Sequence, residues 1–146
     1  MSIPRLGHLQ HRIMQILWQH GRATAREITD ALNQTGFVAH STVQTLLRQL
    51  ERKGAAAHKA QDRTFVYYPL AEENKITRST IQELVDRVFG GSATSLVAYL
   101  LKQEQIPATE LGQIRKLILE NDLKTKSSPM AKKIKPSLKS INQLSL

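Results

Sequence analysis

Residues 41–53 carry hydroxyl, amide and guanidinium side chains at a spacing that gathers them on one side of a helix. The apolar residues of this stretch fall at i, i+3, i+4 and i+7, a stripe typical of an amphipathic helix: Val43, Leu46, Leu47 and Leu50. At about 100° per residue, the polar side chains lie opposite this stripe or on its flanks. Such groups hydrogen-bond to base edges and phosphates in a major groove. The side chains predicted to approach base edges are Ser41, Thr42, Gln44, Thr45 and Arg48.

The sequence also marks the two ends of this helix. Ser41 suits the N-cap position, and Gly54 suits the first position after the helix, where a left-handed backbone is common. Arg52 and Lys53 complement the negative end of the helix dipole, and Arg52 is predicted to hold a phosphate. Taken alone, the stretch is also typical of an ordinary surface helix with a mixed polar face. The neighbouring elements therefore have to decide between the two interpretations.

Two further helices are predicted before this one. The first runs from about Gly7 to His20, and Gly21 ends it. The second opens at Thr24, where Glu27 supplies the other half of a capping box. Three helices with short connections form a helix-turn-helix layout when the third helix exposes Thr, Gln and Arg side chains.

A β-hairpin is predicted directly after the polar helix. Residues 55–60 and 64–68 have the composition of short strands around a turn at residues 61–63. A hairpin in this place is a wing, and Lys59 and Arg63 would then lie over a phosphate backbone or a minor groove. A solvated hairpin tip is the alternative for either residue taken singly.

The second half of the chain is predicted to form three helices. One begins at Glu72, the next spans Ala93–Gln103 and is apolar nearly all round, and the last ends near Asn121. Helices of this size leave much apolar surface to cover, and an isologous dimer is the commonest solution. The residues predicted to support dimerisation are Leu84, Val88, Phe89, Leu96, Val97, Leu100, Leu101 and Leu117.

Charge is distributed unevenly along the 146 residues, whose formal net charge is +9. Residues 1–68 have a balance of +5, residues 69–123 of −2, and residues 124–146 of +6. A basic N-terminal segment, a near-neutral middle segment and a basic C-terminal tail are typical of a polyanion-binding domain followed by an oligomerisation domain. The tail is predicted to be disordered; it either adds sequence-independent attraction to phosphates or only solubilises the chain.

Several classes of site are excluded by composition. The chain has no cysteine, which removes disulfides, thiolate metal sites and cysteine nucleophiles. No cofactor or metal is predicted, and no nucleophile elbow, phosphate loop or metal-ligand spacing indicates an enzyme. No apolar run approaches the roughly 18 residues that span a bilayer, and the N-terminus lacks a signal-peptide segment, so we expect a cytoplasmic protein without a membrane partner.

With these elements placed, the chain resembles the penicillinase-repressor family of transcriptional regulators (BlaI/MecI type). The resemblance covers roughly residues 6–121 and rests on residues 13–18, 41–47, 53–54, 63–70 and 89–92. It implies a homodimer with an N-terminal winged helix and a C-terminal helical dimerisation domain. It also implies binding to a palindromic operator and repression of nearby genes.

The sequence departs from the family pattern at four places. Tyr99-Leu100 stands where antibiotic-responsive members are cleaved at an Asn-Phe bond, and the cysteine cluster of copper-responsive members is missing. Gln49 replaces the usual Arg before the last leucine of the polar helix, and Arg48 comes one residue earlier. Asp62 replaces the usual wing-tip glycine, although Asp tolerates tight turns.

The sequence therefore predicts a mainly α protein with a small β-hairpin wing, in three parts. Residues 1–70 form a winged-helix DNA-binding domain, residues 71–122 a helical dimerisation domain, and residues 123–146 a basic tail. The predicted function is sequence-specific binding of double-stranded DNA by a homodimeric repressor, with no small-molecule substrate. A winged helix used as a protein-interaction module is the alternative, although the outward helix face is neither apolar nor acidic as that use would require.

Overall fold

The computed structural model describes residues 3–103 and 105–127. Its elements are α1 (His8–His20), β1 (Ala23–Thr24), α2 (Ala25–Leu32), α3 (His40–Arg52), β2 (Ala56–Gln61), β3 (Thr64–Pro69), α4 (Glu73–Phe89), α5 (Ala93–Gln103) and α6 (Ala108–Ser127). The chain divides into two compact units, Met1–Ala93 and Thr94–Leu146. The predicted fold class, mainly helical with a small β-hairpin wing, is confirmed.

The core of the first unit lies between α1, α2, α3 and the sheet. Its largest side chains are fully buried because each helix turns its apolar stripe inward. The core residues are Ile13, Met14, Leu17, Ala23, Ile28, Leu32, Val38, Val43, Leu47, Leu50, Ala55, Ala56 and Tyr67.

The first two helices begin close to where the sequence predicted. Gly7 is the N-cap residue of α1, and its N–H donates to Gln10 Oε1 at 3.0 Å. At α2 the capping box forms: the Glu27 N–H donates to Thr24 Oγ1 at 3.1 Å and the Thr24 N–H donates to Glu27 Oε1 at 2.9 Å. The bond from the Thr24 backbone is the main cause that lowers the pKa of the Glu27 carboxyl. The N-terminal N–H groups of α2 are therefore already partly satisfied within the chain.

With Ser41 as its N-cap, α3 would begin at Thr42, but it begins two residues earlier, at His40. Its N-cap is Ala39, which makes no side-chain cap, so the prediction that Ser41 is the N-cap was wrong. The Asn33 side chain, five residues before Val38, fixes the start instead: its amide donates to Val38 O at 2.9 Å, and the Val38 N–H donates back to Asn33 Oδ1 at 3.0 Å. These contacts hold the turn, and α3 starts directly after it at His40.

The C-terminal end of α3 is as predicted. Gly54 follows the C-cap Lys53 and has φ +79°, a conformation that suits glycine. The Gly54 N–H donates to Glu51 O at 3.0 Å and the Ala55 N–H to Leu50 O at 2.9 Å, which together form a Schellman motif. This compact end leads the chain from α3 directly into the sheet.

The sheet has three antiparallel strands in the order β1-β3-β2, where the sequence predicted only the hairpin. The missed strand, β1, consists of Ala23 and Thr24 alone, paired with Tyr67 and Val66 of β3. Within the hairpin Gln61 pairs with Thr64, so the turn has two residues rather than the predicted three. Asp62 and Arg63 form it with φ values of 50° and 66°. Positive φ at both central positions matches the twist of a two-residue hairpin.

Helix α4 closes the first unit. The Trp18 indole N–H donates to Ala71 O at 2.8 Å just before α4, and an ion pair of 2.5 Å joins the Arg5 guanidinium to Glu83 on α4. Ile76 and Val85 of α4 are buried. Gly90 ends the helix in the left-handed conformation, φ 58°.

Two helices make up the described part of the second unit. None of the residues of α5 is buried, although the helix is apolar nearly all round. Helix α6 continues to Ser127, beyond the predicted end near Asn121, because the sequence contains no glycine or proline between those residues. Most of the predicted tail lies outside the described residues. The predicted domain boundaries stay predictions.

Candidate nucleic-acid interface

The outward face of α3 presents all five side chains that the sequence assigned to base contacts. Ser41, Thr42, Gln44, Thr45 and Arg48 are exposed, as is Arg52 in the last turn. The opposite face supplies Val43, Leu47 and Leu50 to the core. Because the helix is fixed through this buried stripe, its polar side chains project from a rigid base.

Arg48 is oriented by a short chain of hydrogen bonds along this face. Its Nη2 atom donates to Thr45 Oγ1 at 3.2 Å, and the Thr45 hydroxyl donates to Ser41 O at 3.1 Å. The guanidinium therefore leans toward the N-terminal turn of α3. It has five N–H donors in all, and those not given to Thr45 remain available for a planar acceptor pair such as a guanine edge.

Gln49 is turned away from this face and bonds inside the protein. Its Oε1 atom accepts from Gln10 Nε2 at 2.9 Å, and the Gln10 side chain is only 7% exposed. Gln10 Oε1 in turn accepts from Lys53 Nζ at 2.8 Å, and Lys53 also donates to Arg5 O at 2.6 Å. This set of bonds fixes the C-terminal half of α3 against α1. It also explains why the polar residue at position 49 is unsuited to contact DNA.

The wing is joined to α3 through His58 on β2. Its Nδ1 atom lies 2.7 Å from Glu51 Oε2 on α3, and its ring stacks on Phe65 with centroids 4.1 Å apart. Tyr67 lies on the same side of the sheet, with its ring centroid 5.4 Å from that of His58. Burial, reinforced by the charge of Glu51 and opposed by Arg48, raises the pKa of the Tyr67 phenol.

The structure does not bring the two predicted wing cations together. Arg63 occupies the turn itself, exposed to solvent. Lys59 follows His58 and therefore lies on the other face of the sheet, where its Nζ atom is 5.6 Å from the centroid of the Tyr68 ring. The cleft on that face includes Arg22 beside Lys59. Two separate basic positions thus flank the hairpin.

A cleft between α2, α3 and the wing gathers both predicted and unpredicted residues. Gln44 and Arg63, predicted to contact DNA, line it together with Arg26 and His40, for which no role was predicted. Arg26 stands in the first turn of α2 and His40 directly precedes the polar run of α3. In the sequence, Arg26 lies close to the capping residue Thr24 and His40 directly precedes Ser41, and these positions could have indicated that both residues lie near the polar face of α3. Both bring cationic or hydrogen-bonding groups to the rim of the exposed helix face.

Among the residues that the structure describes, no group of His, Asp and Glu side chains could hold a metal ion. No single described helix is long and apolar enough to cross a membrane; only α4 and α5, taken together as a bent pair, meet the length and composition for one.

A core of three helices whose third helix exposes hydroxyl, amide and guanidinium groups, followed by a basic hairpin, defines a winged helix-turn-helix protein of the DNA-binding class. Residues 6–120 match the family model described as penicillinase repressor. The chain belongs to this family, which consists of DNA-binding transcriptional repressors.

Two relatives agree with this assignment in sequence. The chain is 26% identical over 120 residues to the penicillinase repressor of Bacillus licheniformis, covering 82% of this chain and 94% of the relative. It is 27% identical over 106 residues to the methicillin resistance regulatory protein MecI of Staphylococcus aureus (strain N315), covering 73% and 86%. The solution structure of the DNA-binding domain of the repressor BlaI is 32% identical, with a TM-score of 0.46, and covers 49% of this chain and 88% of that one.

Proposed function

We propose that this chain represses transcription as a homodimer that binds a palindromic operator in double-stranded DNA. The observation that supports this most strongly is the exposed face of α3, where Thr42, Gln44, Thr45 and Arg48 project side by side from a helix locked through its buried stripe. The first turns of such a helix enter the major groove deepest. We assign base contacts to these residues and to Ser41.

Phosphate contacts are assigned to residues around this face. Arg52 lies at the far end of α3, Arg63 in the wing turn, and Lys59 on the outer face of the hairpin. Since Lys59 and Arg63 lie on different sides of the wing, they would hold phosphates of different strands or neighbouring turns. Their neutralisation of DNA charge makes binding weaken as salt rises.

The dimer is proposed from apolar surface that one chain leaves uncovered. In α5, Val97, Leu100 and Leu101 are 44%, 42% and 48% exposed, and Leu117 in α6 is 63% exposed. Leu84, Val88, Phe89 and Leu96 are half-buried or exposed as well. A second copy covers such a surface at low cost, and the two-fold symmetry of that pair matches a palindromic site.

Since its proposed partner is DNA, the proposed location of the protein is the cytoplasm, and no catalytic role is proposed.

The test is a selection followed by a binding measurement. The full-length protein would be used to select duplexes from a randomised library, and its affinity for a selected duplex compared with that for the same bases in scrambled order. We expect a preference of about 10³-fold or more at fixed salt. Equal affinity for both duplexes would overturn sequence-specific binding and favour the protein-interaction alternative.

A further inference from the structure

His40 occupies the first residue of α3 and is joined to α2 by a hydrogen bond that fixes the proton on its ring. Its Nδ1 atom lies 2.9 Å from Thr29 Oγ1, and Thr29 is only 4% exposed. The same Thr29 oxygen lies 2.8 Å from Ala25 O. The roles in this three-atom chain follow from what each group can donate.

A carbonyl oxygen can only accept, so the single hydroxyl proton of Thr29 is given to Ala25. The Thr29 oxygen is then an acceptor toward His40, and the proton between them belongs to His40 Nδ1. In a neutral imidazole the other ring nitrogen, Nε2, is consequently an unprotonated acceptor. It has no hydrogen-bond partner among the residues that the structure describes. Only by binding a second proton, which makes the ring positively charged, does Nε2 become a donor.

The surroundings of His40 favour an anion. It shares the cleft described above with Arg26 from α2 and Arg63 from the wing, and the described residues that line this cleft include no carboxylate. The Tyr67 phenol also lines the cleft and is neutral in this pH range, as a phenol normally is. A phosphate group of DNA that entered here would meet two guanidinium groups. Its oxygens only accept hydrogen bonds, so a neutral His40 has nothing to offer them.

We propose that His40 is a phosphate-contacting residue that binds DNA only in its protonated form, so that DNA binding takes up a proton and tightens as pH falls. The proposal rests on the proposed function, since it assigns a further contact to the same interface. A neutral His40 that accepted a hydrogen bond from a base amino group would instead select one base pair, and binding would weaken as pH falls because protonation removes the acceptor.

The experiment compares full-length wild type with His40→Gln and His40→Lys on a selected duplex and on its scrambled counterpart. Binding would be measured by fluorescence anisotropy at several values between about pH 6 and pH 8, the range in which histidine changes its charge. For the wild type, each linked proton lowers the affinity by up to about tenfold for every unit by which the pH rises, and a dimer that uses both His40 side chains links two protons. We expect His40→Gln to bind DNA more weakly than wild type at low pH, with an affinity that changes less across the range. We expect His40→Lys, which stays charged, to bind DNA tightly, with an affinity that is equally insensitive to pH.

A second variant tests the tautomer argument while keeping the histidine. Thr29→Val removes the acceptor that fixes the proton on Nδ1, so a neutral His40 can carry its proton on Nε2 and donate without taking up another. Its pH profile should flatten while its affinity near pH 8 rises relative to wild type. Thermal unfolding of each variant checks that the fold is retained, and the two His40 substitutions decide the proposal if Thr29→Val does not fold.

Parallel pH profiles for wild type and His40→Gln would overturn the proposal, as would a changed base preference in His40→Gln together with a wild-type affinity that falls as the pH falls. In both cases the selected duplex would still bind better than the scrambled one, so the proposed function would stand. If selected and scrambled duplexes bound equally in every variant, the proposed function itself would fail.

Discussion

Gln10 offers the sharpest test of how α3 is held, because its side chain is nearly buried and every polar atom in it has a partner. It accepts from the Gly7 N–H at 3.0 Å and from Lys53 Nζ at 2.8 Å, and it donates to Gln49 Oε1 at 2.9 Å. Gln10→Leu retains a side chain of similar size and removes all three bonds. The change therefore probes the hydrogen bonds rather than a cavity.

The expected loss follows from these three bonds. A neutral hydrogen bond contributes about 1 kcal/mol net and one to a charged group about 1.5–3 kcal/mol. The partners Lys53 and Gln49 lie near the surface and can turn partly to water. We therefore expect Gln10→Leu to lower the free energy of unfolding by about 2 kcal/mol, and Gln10→Glu, which can still accept from Gly7 and Lys53, to lower it by less.

Urea unfolding monitored by circular dichroism measures these differences directly. Gln82→Leu is the matched control, because Gln82 is exposed and its one bond, to Asp86 Oδ1 at 2.9 Å, stays within a single helix. Such a pair contributes only about 0.2–0.5 kcal/mol. If Gln10→Leu were no more destabilising than Gln82→Leu, the bonds around Gln10 would not hold α3 as described.

Two further predictions concern the second half of the chain. Leu101→Asp places a charge on the exposed apolar face of α5 and should shift the full-length protein from dimer toward monomer in sedimentation. Ser95→Asp, near the start of the same helix, should leave the dimer unchanged. If Leu101→Asp also left the dimer unchanged, the interface would lie elsewhere. Deletion of residues 128–146, which removes four lysines but leaves α6 intact, should flatten the dependence of log affinity on log salt by about 0.9 for each phosphate that the tail had neutralised. Operator preference should be unchanged by the deletion, and an unaltered salt slope would mean that the tail only solubilises the chain.

Local signals in the sequence were sufficient wherever a structure is set by neighbouring residues. The capping box of Thr24 and Glu27, the glycine after α3 and the apolar stripe of α3 each depend on residues within about two turns, and each was predicted correctly. The stripe also divides α3 into a buried and an exposed face, so the side chains assigned to base contacts could be named before their placement was known.

Features set by distant residues could not be predicted in the same way. The strand β1 has two residues and exists only through its pairing with β3, more than 40 positions later. The internal role of Gln49 depends on Gln10, 39 residues earlier. Hydrophobic periodicity contains no information about such pairs.

The central claim is that the exposed face of α3 reads base sequence while the wing holds the backbone. Arg48 and Arg63 allow a matched test, since both are exposed arginines that differ only in where the structure places them. The measurement is the affinity of Arg48→Ala and Arg63→Ala for a panel of single-base variants of a selected operator, at fixed salt. A bidentate contact from arginine to guanine contributes about 1–3 kcal/mol of discrimination.

We expect Arg48→Ala to lose about that much affinity on the selected operator and to become indifferent to one base pair in each half-site. Arg63→Ala should weaken every duplex by a similar factor and leave the order of preference intact. If Arg48→Ala instead lowered all affinities equally, Arg48 would only hold a phosphate, and the assignment of sequence reading to this face of α3 would be contradicted.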